Sequence, residues 1–226
     1  MEILKSFLDS YGIAMTVIML VAASAVYIVK ILKDIRKRKP YNAIAEKMGL
    51  SKLSASQDIS ILYGEKIAEA FPGYGKKAIF RYGGVSAAGL SGEFFCVKTK
   101  TKVTRTVYSQ DYVCGKVGVR AKDVKGIDKI EYDAVIFSLA NPMPDFKLDF
   151  EALRGLYDKP ASQNEDYSKY FNHNTLEFIV NSLPGVSVCS AGNYLMFYEE
   201  ADSVEDMQLF VQNVSKAAEY LIGSLK

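Results

Sequence analysis

From Ser10 to Val29 the chain runs twenty residues without a charge, SYGIAMTVIMLVAASAVYIV, and no other stretch limits its architecture as strongly. At 1.5 Å per residue, a helix of that length crosses a hydrocarbon core of roughly 30 Å. A backbone in lipid must satisfy its own hydrogen bonds, so a helix is expected despite the β-branched Thr16, Val17, Ile18, Val21, Val26, Ile28 and Val29. Tyr11 and Tyr27 stand near its two ends, where an amphipathic ring suits headgroup level. Gly12, Ala22, Ala23, Ser24 and Ala25 are small enough for close helix contact, which would suit a homo-oligomer through the membrane helix.

The flanks set the expected orientation. Lys30, Lys33, Arg36, Lys37, Arg38 and Lys39 crowd the C-terminal side, against Lys5 on the other, which is opposed by Glu2 and Asp9. Positive flanks stay in the cytoplasm, so the N-terminus is expected outside and the C-terminal domain inside the cell membrane, as in a single-pass protein. Ala23-Ser24-Ala25 would suit a cleaved leader. A single Lys5 before the apolar run and a basic run directly after it favour a span instead. The odd, widely spaced Cys96, Cys114 and Cys189 fit reduced cytosolic thiols better than an exported disulfide framework. The six basic residues also suggest a membrane-surface site. Cations beside a span attract anionic lipid headgroups at roughly 1 kcal/mol each. The plainer role for such residues is to fix topology.

The 186 residues after position 40 are enough for one domain with a real core. A composition 49% hydrophobic and 24% charged, with 6 Pro, excludes a disordered or collagenous chain. Pro40 lacks an amide donor and disfavours helix at Lys39, so we expect a membrane anchor over 1–39 and a cytoplasmic α+β domain over 40–226.

Within that domain Tyr41 to Met48 reads as a short helix closed by Gly49, and Ile59 to Phe71 as a second helix before Pro72-Gly73. From Ala78 the period changes to two, with strands expected at 78–90, 93–103, 104–114 and 130–139. No helix-length segment separates them, so the sheet should be mainly antiparallel. Asp149 and Asn174 are expected N-caps for helices over 150–157 and 175–183. Val186 to Cys189 and Tyr194 to Glu199 should form a hairpin. Ser203 caps a final amphipathic helix whose apolar residues run from Val204 and Met207 through Phe210, Val211, Val214, Ala217 and Ala218 to Leu221.

Motifs that would carry chemistry fall short one by one. Ala45 to Ser51 has the small residue, Gly and Ser of a helix-turn-helix, but the segment after it offers Lys52 alone to phosphates, so no nucleic acid is expected. Gly73-Tyr74-Gly75-Lys76-Lys77 lacks the earlier glycine and the hydroxyl of a phosphate loop. Gly115-Lys116-Val117-Gly118 matches a KH loop in four letters and reads as a turn. His173 is the sole histidine and the cysteines lack CxxC spacing, so neither a metal site nor a cofactor is expected. A dyad of His173 with a cysteine stays open, although all three cysteines lie in strand-like sequence. Lys98, Lys100, Lys102 and Arg105 make a cationic strand. It could face headgroups or an acidic partner, while the plainer reading is an edge protected from aggregation.

The order of features from residue 41 onward resembles uncharacterised prokaryotic membrane-associated proteins. It comprises Ala45 to Leu50, Phe71-Pro72-Gly73, the strand glycines Gly84 and Gly92, Pro142-Met143-Pro144-Asp145-Phe146, and the terminal hairpin and helix. The resemblance implies membrane association and brings no catalytic residue. The expected function is a membrane-anchored binding or structural domain engaging a protein partner or the inner membrane surface. A membrane-bound, hydrolase-like enzyme is the alternative.

Overall fold

The computed structural model describes residues 2–113, 116–158, 170–201 and 203–223, with side chains described from Met15 onward except at 30, 34 and 109–120. Two compact units divide at Ala43/Ile44. The first consists of most of helix α1, Glu2–Lys47. An 18-residue window within Met15–Lys47 has mean hydropathy 2.2 and no buried residue, so this helix is long and apolar enough to cross a membrane by length and composition.

Contrary to the expected break at Pro40, α1 continues through that proline to Lys47. Proline tolerates helical φ, and the bond it cannot donate leaves the Arg36 carbonyl unserved. Arg36 is exposed, so that carbonyl can turn to water. The helix ends where Gly49 suggests, with Leu50 N–H donating to Ala45 O at 2.8 Å in the bond pattern of a Schellman cap.

The second unit is an α+β fold on one seven-stranded antiparallel sheet. Its strands are β1 (Ser51–Lys52), β2 (Tyr74–Ala87), β3 (Leu90–Val113), β4 (Lys116–Ser138), β5 (Phe146–Leu148), β6 (Ser187–Ala191) and β7 (Tyr194–Glu200), in the order β1-β2-β3-β4-β7-β6-β5. Neighbours pair antiparallel throughout. Two-residue connections at Ala88-Gly89 and Gly192-Asn193 turn the β2–β3 and β6–β7 hairpins. The first falls inside the strand expected over 78–90, because Ala88 adopts the positive φ that a tight hairpin needs.

Both faces of the central sheet are dry. Phe94 and Phe95, neighbours pointing to opposite sides, are each fully buried. On one side Ile59, Ile67, Ala68 and Phe71 pack on Phe95, Val97, Ala134, Ile136 and Met196. These four come from α2 (Ile59–Tyr63), α3 (Glu65–Ala70) and the residue after it. The single helix expected over 59–71 is thus two. Gly64, at φ +91° and ψ 163°, leaves helical geometry between them, while Asp58 caps α2 by accepting from Ser60 N–H at 3.1 Å.

On the other side lies the last helix, Met207–Gly223, entered through a 3-10 turn at Val204–Asp206 whose N-cap is Ser203. It buries Met207, Phe210, Val211, Val214, Ala217, Ala218 and Leu221, with the Phe210 ring edge-on to Phe94 at 6.5 Å. Full burial of each larger side chain contributes roughly 1.5–3 kcal/mol, so this helix is a main tie across the sheet. Val204, expected on the apolar stripe, sits in the 3-10 turn and is half-buried.

Helix α4 (Phe150–Asp158) starts as expected, with Asp149 Oδ1 accepting from Ala152 N–H at 2.8 Å. Helix α5 (His173–Ser182) does not: its cap is Asn172, which accepts from Thr175 N–H at 2.9 Å, rather than Asn174. An N-cap needs extended backbone three residues ahead of the amide it serves, and Asn172 has it at φ −68°, ψ 164°. Asn172→Ala is therefore expected to cost about 1 kcal/mol and Asn174→Ala well under half of that, as denaturant unfolding of the two variants would measure. Equal losses would show that Asn172 does not act as the cap.

Candidate functional site

Sequence directs attention to the basic residues after the apolar run, and all six lie on α1. Lys33, Arg36, Lys37 and Lys39 are exposed and Arg38 is half-buried. At about 100° per residue, the five cations from Lys33 to Lys39 spread around the helix and make a collar with no single charged stripe. Such a distribution suits a headgroup belt better than docking against one surface.

The larger charged feature is one that sequence reading divided. The strands expected at 93–103 and 104–114 are one strand, β3. Residues 116–129, left unassigned apart from a turn at 115–118, belong to β4 and pair with β3 in unbroken register as far as Val113↔Lys116. Strand β2 leaves β3 at Lys100, and β7 joins β4 only at Tyr132. Among the described residues, 101–113 and 116–130 therefore form a two-stranded ribbon that no other strand borders. Thirteen residues at about 3.3 Å each carry it roughly 40 Å beyond the sheet.

The register sorts its side chains. On one face Arg105 pairs with Asp128 at 2.6 Å, and Lys122 lies opposite Val107. On the other, Lys100 lies directly opposite Lys129, and Lys102 and Lys125 follow on the same side. Lys98 on that face has Glu131 at 3.1 Å, and Asp123 accepts from Thr106 Oγ1 at 2.8 Å. The four lysines are exposed and have no acidic partner within ion-pair distance among the described residues. Like charges directly opposite on a ladder are destabilising. Tyr108, 71% exposed, and Ile127, 57% exposed, lie on this same face.

Buried polar chemistry concentrates elsewhere. Arg81 on β2, 8% exposed, donates from Nη2 to Glu93 Oε2 at 2.6 Å. Its Nη1 reaches Ser54 O at 3.1 Å and Gln57 Oε1 at 3.2 Å. Tyr63 OH donates to the same Glu93 oxygen at 2.7 Å, with the Arg81 guanidinium over its ring at 5.8 Å. Burial, then donation to a carboxylate, holds the Tyr63 phenol above the usual tyrosine range. These contacts join α2, the 54–57 loop, β2 and β3, an arrangement that pins structure.

A groove of about 180 Å³ is lined by Asp133, Glu199, Glu200 and Asp206 together with Leu183, Phe210 and Asn213. Asp133 and Glu199 lie opposite each other on β4 and β7. Among the described residues no group of three or more His, Cys, Asp or Glu is placed to hold a metal ion. The His173 ring is exposed and stacks on Tyr157 at 5.2 Å. Cys96 and Cys189 are buried, and burial pushes the Cys189 thiol up to about 12, leaving it protonated at neutral pH. Cys114, like Gly115 of the KH-like pattern, lies outside the described residues.

The weighed motifs resolve into ordinary structure. Ser51 and Lys52 after Gly49 form β1, so no recognition helix follows that turn. Tyr74 to Lys77 is the start of β2, where Tyr74 and Lys77 pair with Lys100 and Lys98 on either side of a register shift. No protein-family profile, curated protein or solved structure matches this chain. Its function must be argued from its own geometry.

Proposed function

We propose that this chain is a single-pass membrane protein that holds an α+β binding domain at the cytoplasmic face. The observation that carries the reading is the α1 segment within Met15–Lys47 whose 18-residue window has mean hydropathy 2.2 and no buried residue. A helix of that kind is stable in lipid or in a core, and lipid accounts for a window with no buried residue. The cationic collar supports the inward orientation of the C-terminal side, and the odd number and wide spacing of Cys96, Cys114 and Cys189 suit a reducing compartment. Binding rather than catalysis is favoured because the buried polar network ties structural elements together and the ribbon presents exposed lysines.

A chain tagged at its C-terminus tests this reading. The expected result is full-length protein that stays in the membrane pellet through alkaline carbonate, with the tag shielded from protease in intact cells and digested after permeabilisation. Full-length protein free in the soluble fraction would refute the anchor, and a tag digested in intact cells would refute the orientation.

A further inference from the structure

We infer that the lysine face of the β3–β4 ribbon is a docking surface for an anionic phospholipid bilayer. The ribbon is the part of the body least able to account for itself. A two-stranded hairpin is marginally stable in water, and this one extends about 40 Å with both faces and both edges outside the rest of the sheet. Residues 101–130 carry seven Lys/Arg against three Asp/Glu. Lys100, Lys102, Lys125 and Lys129 stand on one face beside Asp123, while the other carries the Arg105–Asp128 pair and Lys122. Edge protection needs isolated lysines that repel a neighbouring strand. It gives no reason to set Lys100 against Lys129, where they repel each other, and an anionic surface removes that repulsion.

The kind of anion follows from the side chains. The cations on this face are all ammonium groups, compact point charges on long stems, and its sole described arginine neighbour is committed to Asp128 on the opposite side. Recognition of bases or of a specific phosphate favours the bidentate guanidinium fork, whereas a diffuse field of headgroups needs only charge. Tyr108 and Ile127 lie exposed among the lysines, a mixture of aromatic ring, aliphatic side chain and snorkelling cation that suits the zone between headgroups and acyl chains. The inference rests on the anchored reading for its leaflet: a tether in the same chain raises the effective lipid concentration at the ribbon, and the cytoplasmic leaflet is the anionic one.

The chain contains no tryptophan, so Tyr108→Trp places a single reporter on the face in question. Full-length protein carrying it would be reconstituted into vesicles of phosphatidylcholine, or of phosphatidylcholine with one-third phosphatidylglycerol, each with and without brominated acyl chains. Flotation with the neutral vesicles reports on the anchor, and bromine quenching reports on the ribbon, so the two readings fail separately. The expected result is emission quenched at least two-fold in the anionic vesicles, with no quenching in the neutral ones. Molar salt should reverse it without altering a residue.

Combining Lys100→Gln, Lys102→Gln, Lys125→Gln and Lys129→Gln should abolish the quenching while thermal unfolding is unchanged or raised, since a repulsive pair is removed. Quenching that is equal in neutral and anionic vesicles, absent from both, or retained by the four-lysine variant would overturn the inference. So would a response to RNA or to an acidic polypeptide with none to anionic lipid.

Discussion

Arg81→Ala is expected to lower the unfolding free energy by about 3 kcal/mol, because it removes one partner of a largely buried ion pair and strands the other. Arg81 closes four contacts at once: Glu93, the Ser54 carbonyl, the Gln57 side chain and the Tyr63 ring. Without it Glu93 keeps its bond from Tyr63 but loses its counter-charge. The 54–57 loop also loses the side-chain tie that supplements its backbone bonds Ser56 N–H to Ala78 O at 2.7 Å and Ala78 N–H to Gln57 O at 3.0 Å. Part of Glu93 reaches water, which keeps the figure at the lower end of the range for buried pairs.

The buried Arg81 Nε has no hydrogen-bond partner, so the network is not an optimum. Replacing both ions by apolar residues, Arg81→Met with Glu93→Leu, should therefore recover more than half of the loss. Urea unfolding of the full chain in detergent would measure all three variants. A single-variant loss under about 1 kcal/mol, or a double variant less stable than either single, would show that the pair does not hold the loop and the sheet together.

The parts of this fold that were legible in sequence are those where burial imposes a period. Phe94 and Phe95 announce a strand, the last helix shows its stripe from Met207 to Leu221, and Asp149 and Ser203 stand where caps are needed. Where burial imposes none, the strand expected over 104–114 is cut from its first half at 93–103, and the strand over 116–129 is missed. The ribbon's described side chains are mostly exposed on both faces, so Thr104 to Val113 shows no sustained period, and the alternation of Val117, Val119 and Ala121 with Lys116, Gly118, Arg120 and Lys122 is short. What remained was β-branched propensity at Thr104, Thr106, Val107, Val124 and Ile127, a signal too weak to carry one strand through.

Short edge strands were invisible for a related reason. Ser51–Lys52 and Phe146–Leu148 are strands because a longer neighbour offers them partners. The Arg81–Glu93–Tyr63 network joins residues 12 and 30 positions apart in sequence: the β2–β3 register brings Arg81 to Glu93, and the packing of α2 on the sheet brings Tyr63. Gly73, part of the sequence pattern at Phe71-Pro72-Gly73, gains a physical role. A Cβ there would lie 2.5 Å from the Lys100 carbonyl at the base of the ribbon, and its φ of +85° already disfavours other residues.

Raising the pH from about 8 to about 12 is expected to cost ~4 kcal/mol of stability through Cys189 alone. The thiol lies in the core with Met196 and Tyr198, and burial pushes it from its ordinary 9.0 up to about 12, with Lys147 pulling weakly the other way. Because the folded value is the raised one, the folded state holds the proton more tightly. The contribution is fully present below pH 9.0 and is lost as pH rises through the folded value of about 12. Three pK units at about 1.4 kcal/mol each give the figure. Burial also pushes Tyr198 up to about 12 and holds Tyr63 above its usual range, but both begin to act only from about pH 10, where unfolded tyrosine ionises.

A decline in urea midpoint that starts near pH 9 is the expected mark of Cys189, and it should steepen once the tyrosines join. Cys189→Ala, which costs stability at neutral pH by opening a small cavity, should flatten the segment between about pH 9 and 10 and leave the steeper limb in place. Identical slopes for the two proteins across that segment would show that Cys189 does not ionise as a buried core thiol. The same titration bears on chemistry, since a side chain that stays protonated until the domain loosens cannot supply a thiolate nucleophile at neutral pH, and Cys189 is left with packing as its work.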